Sequence, residues 1–314
     1  MRQQRSLGQA ISCTGIGLHT GLPVTLTLRP APPDTGIMFV RHGAGERVSV
    51  GALVQNLVQT ELCTAIRVNG TSVKTIEHLL AALVGLEVDN AFVELDAEEV
   101  PAMDGSSSPF VRLIKAAGVV PQERRQPFLK ITQPIEVIDG DRRVIIEPSS
   151  HPRITYSIQY DHPLIQKQTY VYDCSVSAFE LDIAEARTFG FLQEVEDLWS
   201  RGLGKGGSLE NTIVLSDREV LNQSGLRFPD EFVRHKILDL IGDLALLGVP
   251  FLGHLIADRS GHALHTKLVE KILEQPDKWV LVNRGEQPVS LESQPALSAS
   301  RSVQNIPLQA SSTF

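Results

Sequence analysis

His235, Asp239 and Asp243 follow one another at intervals of four residues in DEFVRHKILDLIGDLALL (230–247), and Glu77 and His78 stand side by side in VKTIEHLLAALV (73–84). An imidazole and a carboxylate one helical turn apart can hold a divalent cation. Neighbouring helical residues project roughly 100° apart, so His78 could ligate the ion while Glu77 flanks a water beside it. His78, His235 and Asp239 would then give three protein ligands and an open position, the pattern of a catalytic rather than a structural zinc, one Zn2+ per chain. Zinc brings the pKa of water towards about 7, and Glu77 would take the proton as general base. His262 could protonate a leaving amine, with Asp243 holding that imidazole and favouring its charged form. Lys236 could offer positive charge to an oxyanion or phosphate, and Thr188 a hydroxyl donor. Each pattern taken singly is common without an ion: a Glu-His pair is usually a surface feature, and His-x3-Asp an ordinary helical pair. Their joint occurrence on two apolar helices strengthens the metal reading and leaves it open.

The elements that must position these groups read as follows. Outside its functional positions the run 230–247 is mostly apolar, with Asp230 to cap its start and Gly248 and Pro250 to stop it. Ser72 is expected to cap a helix reaching Val84 before Gly85, and a further helix runs from Pro109 to Ala117. Alternation marks strands over 10–13, 24–28, 37–41, 47–50, 63–68, 90–95, 129–138, 144–147, 154–160, 169–172, 212–215 and 251–257. Asn69-Gly70 is a turn signal. Shorter helical stretches are expected near 178–181 and 193–200, and a longer one from His262 to Leu273. The order strands, long helix, strand, turn, second helix occurs twice with negligible identity between the copies, so it repeats architecture only. The fold class predicted is α+β: two similar two-layer α/β sandwich domains packed together with the active site at their interface. Their expected bounds are 1–122 and 127–282, joined by the polar run PQERRQP (121–127), with an insert near 190–207. Residues 287–314, rich in Ser, Gln and Pro, are expected to form a disordered tail.

A chain of 314 residues with 42% hydrophobic and 21% charged side chains can bury a sizeable core. A formal charge of −8 without a basic run argues against nucleic acid as a partner. Three scattered cysteines, Cys13, Cys63 and Cys174, indicate neither a disulfide framework nor a cysteine metal knuckle, and Cys63 reads as a small buried residue. The absence of a signal-type core and of any run approaching ~20 apolar residues points to the cytoplasm without membrane insertion. GLGKGGS (202–208) lacks phosphate-loop spacing and reads as a turn beside the site. His19, His42, His151 and His254 have no partner pattern and read as structural or exposed. Nothing marks a self-association surface, so a monomer is the default.

The segments GIGLHTG (15–21), LRPAP (28–32), TIEHLLAAL (75–83), MDGSSSPF (103–110), ARTFGF (186–191), GLRFPDEFVRHKILDLIGD (225–243) and SGHAL (260–264) closely resemble the UDP-3-O-acyl-N-acetylglucosamine deacetylase family, in collinear order over roughly 2–280. The resemblance implies a zinc amidohydrolase that removes acetate from a UDP-linked 3-O-acylated sugar, the committed step of lipid A synthesis in Gram-negative bacteria. It implies His78, His235 and Asp239 as zinc ligands, Glu77 as base and His262 as acid and oxyanion partner. Asp243 then orients His262, and Lys236 and Thr188 make substrate and oxyanion contacts. It further implies Tyr160 under the uracil ring, Arg142 near the diphosphate, and Phe189 and Leu62 as substrate contacts. The acyl passage would be walled by Phe191, Leu192, Val195, Leu198, Trp199 and Leu203. His265 stands where many relatives have asparagine, with little catalytic effect expected. The alternative reading is a zinc amidase acting on another N-acylated nucleotide sugar, and a non-catalytic metal-stabilised binding protein is a rival of a different class.

Overall fold

In the computed structural model, which describes residues 2–42, 47–58 and 62–283, two five-stranded sheets carry a mixed α/β architecture. The first runs in the spatial order Ile11–Ile16, Pro23–Pro30, Ala91–Leu95, Ile37–His42, Arg47–Gly51. The second runs Ile135–Asp139, Arg142–Glu147, His254–Asp258, Arg153–Gln159, Lys167–Asp173. Numbered within its own sheet, each reads first, second, fifth, third, fourth, and in each the fifth and third strands are the parallel pair. The repeated element order is thus a repeated sheet topology. One face of each sheet is apolar at period two: Val24, Leu26 and Leu28 are buried in one, Ile154, Tyr156 and Ile158 in the other.

The described residues hold six α-helices: α1 (Glu77–Gly85), α2 (Ser108–Ala117), α3 (Val176–Ala178), α4 (Val195–Ser200), α5 (Glu231–Leu244) and α6 (His262–Glu274). In each half a helix precedes the sheet's fifth strand and a second follows it: α1 and α2 in the first, α5 and α6 in the second. α1 and α5 pack against each other and bring the two halves together. Both are buried along most of their length, α5 with Glu231, His235, Asp239 and Asp243 enclosed among its apolar residues. Gly242 lies where they cross, since a Cβ at that position would run into the Glu77 carbonyl.

Several expectations are corrected. Helix α1 starts at Glu77 and not at a Ser72 cap, because Thr71–Lys74 pairs with Ala65–Val68 in a hairpin over Asn69-Gly70. The chain leaves that hairpin through Thr75 at φ 55, whose hydroxyl donates to buried Glu99 at 2.8 Å. The run expected as a linker is mostly strand: Val119–Arg125 pairs antiparallel with Gln3–Leu7. Ladder bonds use main-chain groups, so a charged, solvent-facing edge serves as well as an apolar one. The expected strand 129–138 is two, Pro127–Ile131 and Ile135–Asp139, which lie in different sheets on either side of Pro134. Asp230 does not cap α5 but binds Arg234 Nε at 2.6 Å, while the stop comes as expected, through the turn Ala245–Leu247 and Gly248 at φ 73. The sequence patterns missed the strands Gln3–Leu7 and Trp279–Asn283. The tail 287–314 lies outside the described residues. Among those described, no helix is long and apolar enough to cross a membrane.

Candidate metal and catalytic site

His235 and Asp239 share one face of α5, and α1 presents His78 to them across the crossing. The ligand atoms of the three residues lie within 4.8 Å of one another, and all three side chains are buried. His235 Nδ1 donates to the Ala186 carbonyl at 3.0 Å, which leaves a lone pair on Nε2. That nitrogen is 3.3 Å from Asp239 Oδ1, and His78 Nε2 is 3.6 Å from the same oxygen. Burial drives the His235 pKa down to about 3, against the pull of Asp239. Burial alone would raise Asp239, but His235 and Lys236 outweigh it and hold this carboxyl well below its usual range. A buried carboxylate whose Oδ1 faces two buried imidazole nitrogens fits a divalent cation, which satisfies all three at once.

Main-chain and buried ionic contacts hold the donors. Ala186 precedes Arg187, whose Nε and Nη2 bind Glu231 at 2.9 and 3.1 Å, and Glu231 is fully buried at the first position of α5. The clamp ties the carbonyl that orients His235 to the helix that carries it. Thr188 follows, its N–H bonded to the Gly105 carbonyl at 2.8 Å and its own carbonyl to Ile213 N at 2.8 Å. Its hydroxyl has no hydrogen-bond partner among the described residues. Lys236 Nζ binds Asp239 Oδ2 at 2.9 Å and lies 5.9 Å from the Phe189 ring centroid. Burial alone would lower its pKa, but Asp239 outweighs burial and raises it, so the lysine is charged.

Glu77 is the first residue of α1, 3% exposed, with Oε2 accepting from Thr64 N at 3.0 Å. Burial raises its pKa, opposed by His262 and His78. His262 opens α6, and its Nδ1 donates to Asp243 Oδ2 at 2.8 Å. Burial would lower this imidazole, yet Asp243, with Asp239 and Glu77 beyond it, raises it to about 9. Asp243 also accepts from the Thr64 hydroxyl and from His265 Nδ1, the latter at 2.7 Å. Asp243, His262 and His265 are a second group with closely spaced ligand atoms. Their nitrogen-to-oxygen spacings are those of hydrogen bonds to a shared carboxylate.

The substrate-side residues are partly brought together. Tyr160 stacks edge-on to Phe189 with centroids 5.7 Å apart, and Phe189 in turn lies 6.4 Å from His235. Beside Tyr160 a cavity of about 510 Å³ is lined by Asp161, His162, Gln166 and Lys167 among others. Leu62 is exposed, with φ 65, two residues before Thr64. Arg142 is exposed on the hairpin whose turn residue Asp141 binds Arg259, three positions before His262. Phe191 reaches Tyr160 and His162, while Leu192 and Trp199 stand exposed. The segment 202–208 is a turn, as expected: the amides of Lys205 and Gly206 bond to the carbonyls of His19 and Leu18 and fasten the insert to the first half. Cys63 is buried, as expected. His19 is buried too, and His151 and His254 pair with Asp173 and Thr155, while the His42 side chain lies outside the described residues. Sequence reasoning missed Thr64, the Ala186 carbonyl and the Arg187–Glu231 pair. No spacing marks them, because two of these contacts are made through the main chain and the third spans 44 residues.

Two imidazoles and a carboxylate with ligand atoms within 4.8 Å of one another, and a buried carboxyl and a raised imidazole in their electrostatic reach, are the groups a metal-dependent hydrolase uses. Comparison narrows the class: a family model described as LpxC, UDP-3-O-acyl N-acetylglycosamine deacetylase, matches residues 4–274, and the chain belongs to that family. It is 50% identical over 279 residues to the UDP-3-O-acyl-N-acetylglucosamine deacetylase of Myxococcus xanthus (strain DK1622), covering 89% of each chain. The enzyme of the same name from Syntrophus aciditrophicus (strain SB) is 45% identical over 276 residues, 88% of each chain. That from Hahella chejuensis (strain KCTC 2396) is 44% identical over 295 residues, 92% of this chain and 98% of the relative.

Proposed function

We propose that this protein hydrolyses the acetamide of UDP-3-O-acyl-N-acetylglucosamine to the free amine and acetate, the committed step of lipid A biosynthesis, in the cytoplasm. The observation that carries the reading is the meeting of Glu77 and protonated His262 at the rim of the His78, His235 and Asp239 donor set, where α1 crosses α5. The halves 1–122 and 127–282 would each be a two-layer sandwich, placing this site at their interface. His78, His235 and Asp239 would hold one Zn2+, which supplies Lewis acidity towards water and the acetamide carbonyl.

The chain's own groups do the rest. Glu77, raised by burial and fixed by Thr64 N, takes the proton of the attacking water. His262, kept charged by Asp243, donates a proton to the departing amine. Charged Lys236 and the unpartnered Thr188 hydroxyl face the oxyanion that develops between these steps. Tyr160, Phe189, Leu62 and Arg142 bind the nucleotide sugar, and Phe191 to Leu203 receive the acyl chain. Replacing Glu77 with alanine should lower kcat by about 10²–10⁴ while metal content stays at the wild-type level. Undiminished turnover in that variant would remove Glu77 from the mechanism. Assays with and without the 3-O-acyl group test the substrate, and equal turnover of both would favour an amidase for another nucleotide sugar.

A further inference from the structure

We propose that His265 is a positioning residue for His262: one ring nitrogen holds the carboxylate that His262 uses, and the other holds the turn from which His262 springs. The kinetic part of this inference rests on the deacetylase reading above; the structural part does not.

Asp243 Oδ2 accepts from two imidazoles at once, His262 Nδ1 at 2.8 Å and His265 Nδ1 at 2.7 Å. Its other oxygen takes the Thr64 hydroxyl. Donors from two separate stretches of chain therefore fix the carboxylate plane, and it cannot rotate without breaking one of them. On the far edge of His265, Nε2 lies 2.9 Å from Ser260 Oγ and 3.1 Å from the Tyr156 hydroxyl. Tyr156 donates to the Ser260 carbonyl at 2.8 Å. Ser260 Oγ also lies 3.0 Å from the Tyr156 hydroxyl; with its proton turned to Nε2 and the Tyr156 proton on the Ser260 carbonyl, the neutral Nδ1–H tautomer of His265 satisfies each of these groups. Ser260 is followed by Gly261 and then His262, so the contacts close a ring: Asp243, His265, Ser260, His262 and back to Asp243.

The two imidazoles on this carboxylate differ in charge. His265 is fully buried, and burial lowers its pKa despite Asp243, so it is a neutral donor. His262 is raised to about 9. The charged groups facing His262 are Asp243 and Asp239 from α5 and Glu77 from α1, with His265 beside it on α6. Loss of the His265 donor would leave Asp243 more basic and free to turn. An asparagine could return a donor to Asp243 but has no second edge to reach Ser260.

The test compares H265L and H265N with wild type in full-length, metal-loaded protein. H265L should lower kcat by about 10–100-fold, the worth of one hydrogen bond to a charged group, with KM within about twofold of wild type. H265N should recover most of that loss. The titration of His262, followed by 15N NMR of its imidazole, should move to higher pH in H265L and return towards wild type in H265N. That measurement needs no substrate. A wild-type protein that ignores the acylated UDP-sugar would refute the deacetylase reading, while the NMR titration still decides the role of His265. An unmoved His262 titration in H265L overturns the proposal, whether kcat falls or not, since a structural role alone would leave it in place. Should H265L fail to fold, S260A tests the ring from its other end. It should cost about fivefold in kcat, the worth of one neutral hydrogen bond, and an unchanged kcat there overturns the proposal equally.

Discussion

At the scale of single residues, the pH behaviour follows from the pairing of His262 with Asp243. An imidazole near 6.5 when free and raised to about 9 in the fold contributes stability that is fully present below about 6.5 and is lost as pH rises through about 9. In the proposed mechanism the same proton serves the leaving amine, so kcat/KM should fall with one ionisation near pH 9. Asp243→Asn should draw that limb down towards about 6.5, the value of an imidazole without its carboxylate. A limb unmoved by Asp243→Asn would show that another group sets it. Residues of this kind were legible in the sequence because their types and helical spacing are themselves the chemistry: His78, His235, Asp239, Asp243 and Glu77 meet as expected. What His265 does was not legible. Its identity can be read, but its sharing of Asp243 Oδ2 depends on where Gly261 launches α6. Thr64 is hidden in the same way, since its amide bond to Glu77 is blind to side-chain type and its hydroxyl meets Asp243 across 179 residues of sequence.

At the scale of elements, the site depends on how closely α1 approaches α5. Gly242 permits that approach, and a methyl group there would overlap the Glu77 carbonyl. Gly242→Ala should separate His78 from His235 and Asp239, weakening metal affinity by at least about tenfold and destabilising the fold by about 1–3 kcal/mol, the range for overpacking. Metal titration and denaturant unfolding would measure both, and a variant with unaltered affinity would show that the helices do not set the ligand spacing. The Arg187–Glu231 clamp makes a second test, because Glu231 is left buried and unpaired when Arg187 is removed. Arg187→Met should cost about 3–5 kcal/mol in urea unfolding. Periodicity identified α2, α6 and the start of α5 to within a residue, while the last three residues expected in α5 form the turn Ala245–Leu247. It failed at the start of α1, where a two-stranded hairpin and the left-handed Thr75 intervene. It failed again at 119–125, because a solvent-facing edge strand has no apolar alternation to read.

At the scale of the whole molecule, the proposed metal ligands come from opposite halves of the chain: His78 from the half whose sheet contains Pro23–Pro30 and Ala91–Leu95, His235 and Asp239 from the half whose sheet contains Arg153–Gln159 and His254–Asp258. A cation held among them is a cross-link between the halves as well as a reagent. Binding only the folded protein, it should add about 2.7 kcal/mol at a free concentration 100 times its Kd. Chelation should therefore lower Tm without unfolding the protein at ambient temperature, because the apolar contact between α1 and α5 remains. The loss should be local in hydrogen exchange: amides at the start of α1 and along α5 should exchange faster, while those of strands Pro23–Pro30 and Arg153–Gln159 keep their protection. Glu77→Ala should show the same metal-dependent rise in Tm as wild type, since Glu77 lies outside the His78, His235 and Asp239 donor group. A Tm indifferent to metal in the wild-type protein would mean that these three residues do not hold the ion in the folded state, and the assignment of His78, His235 and Asp239 would fall with it.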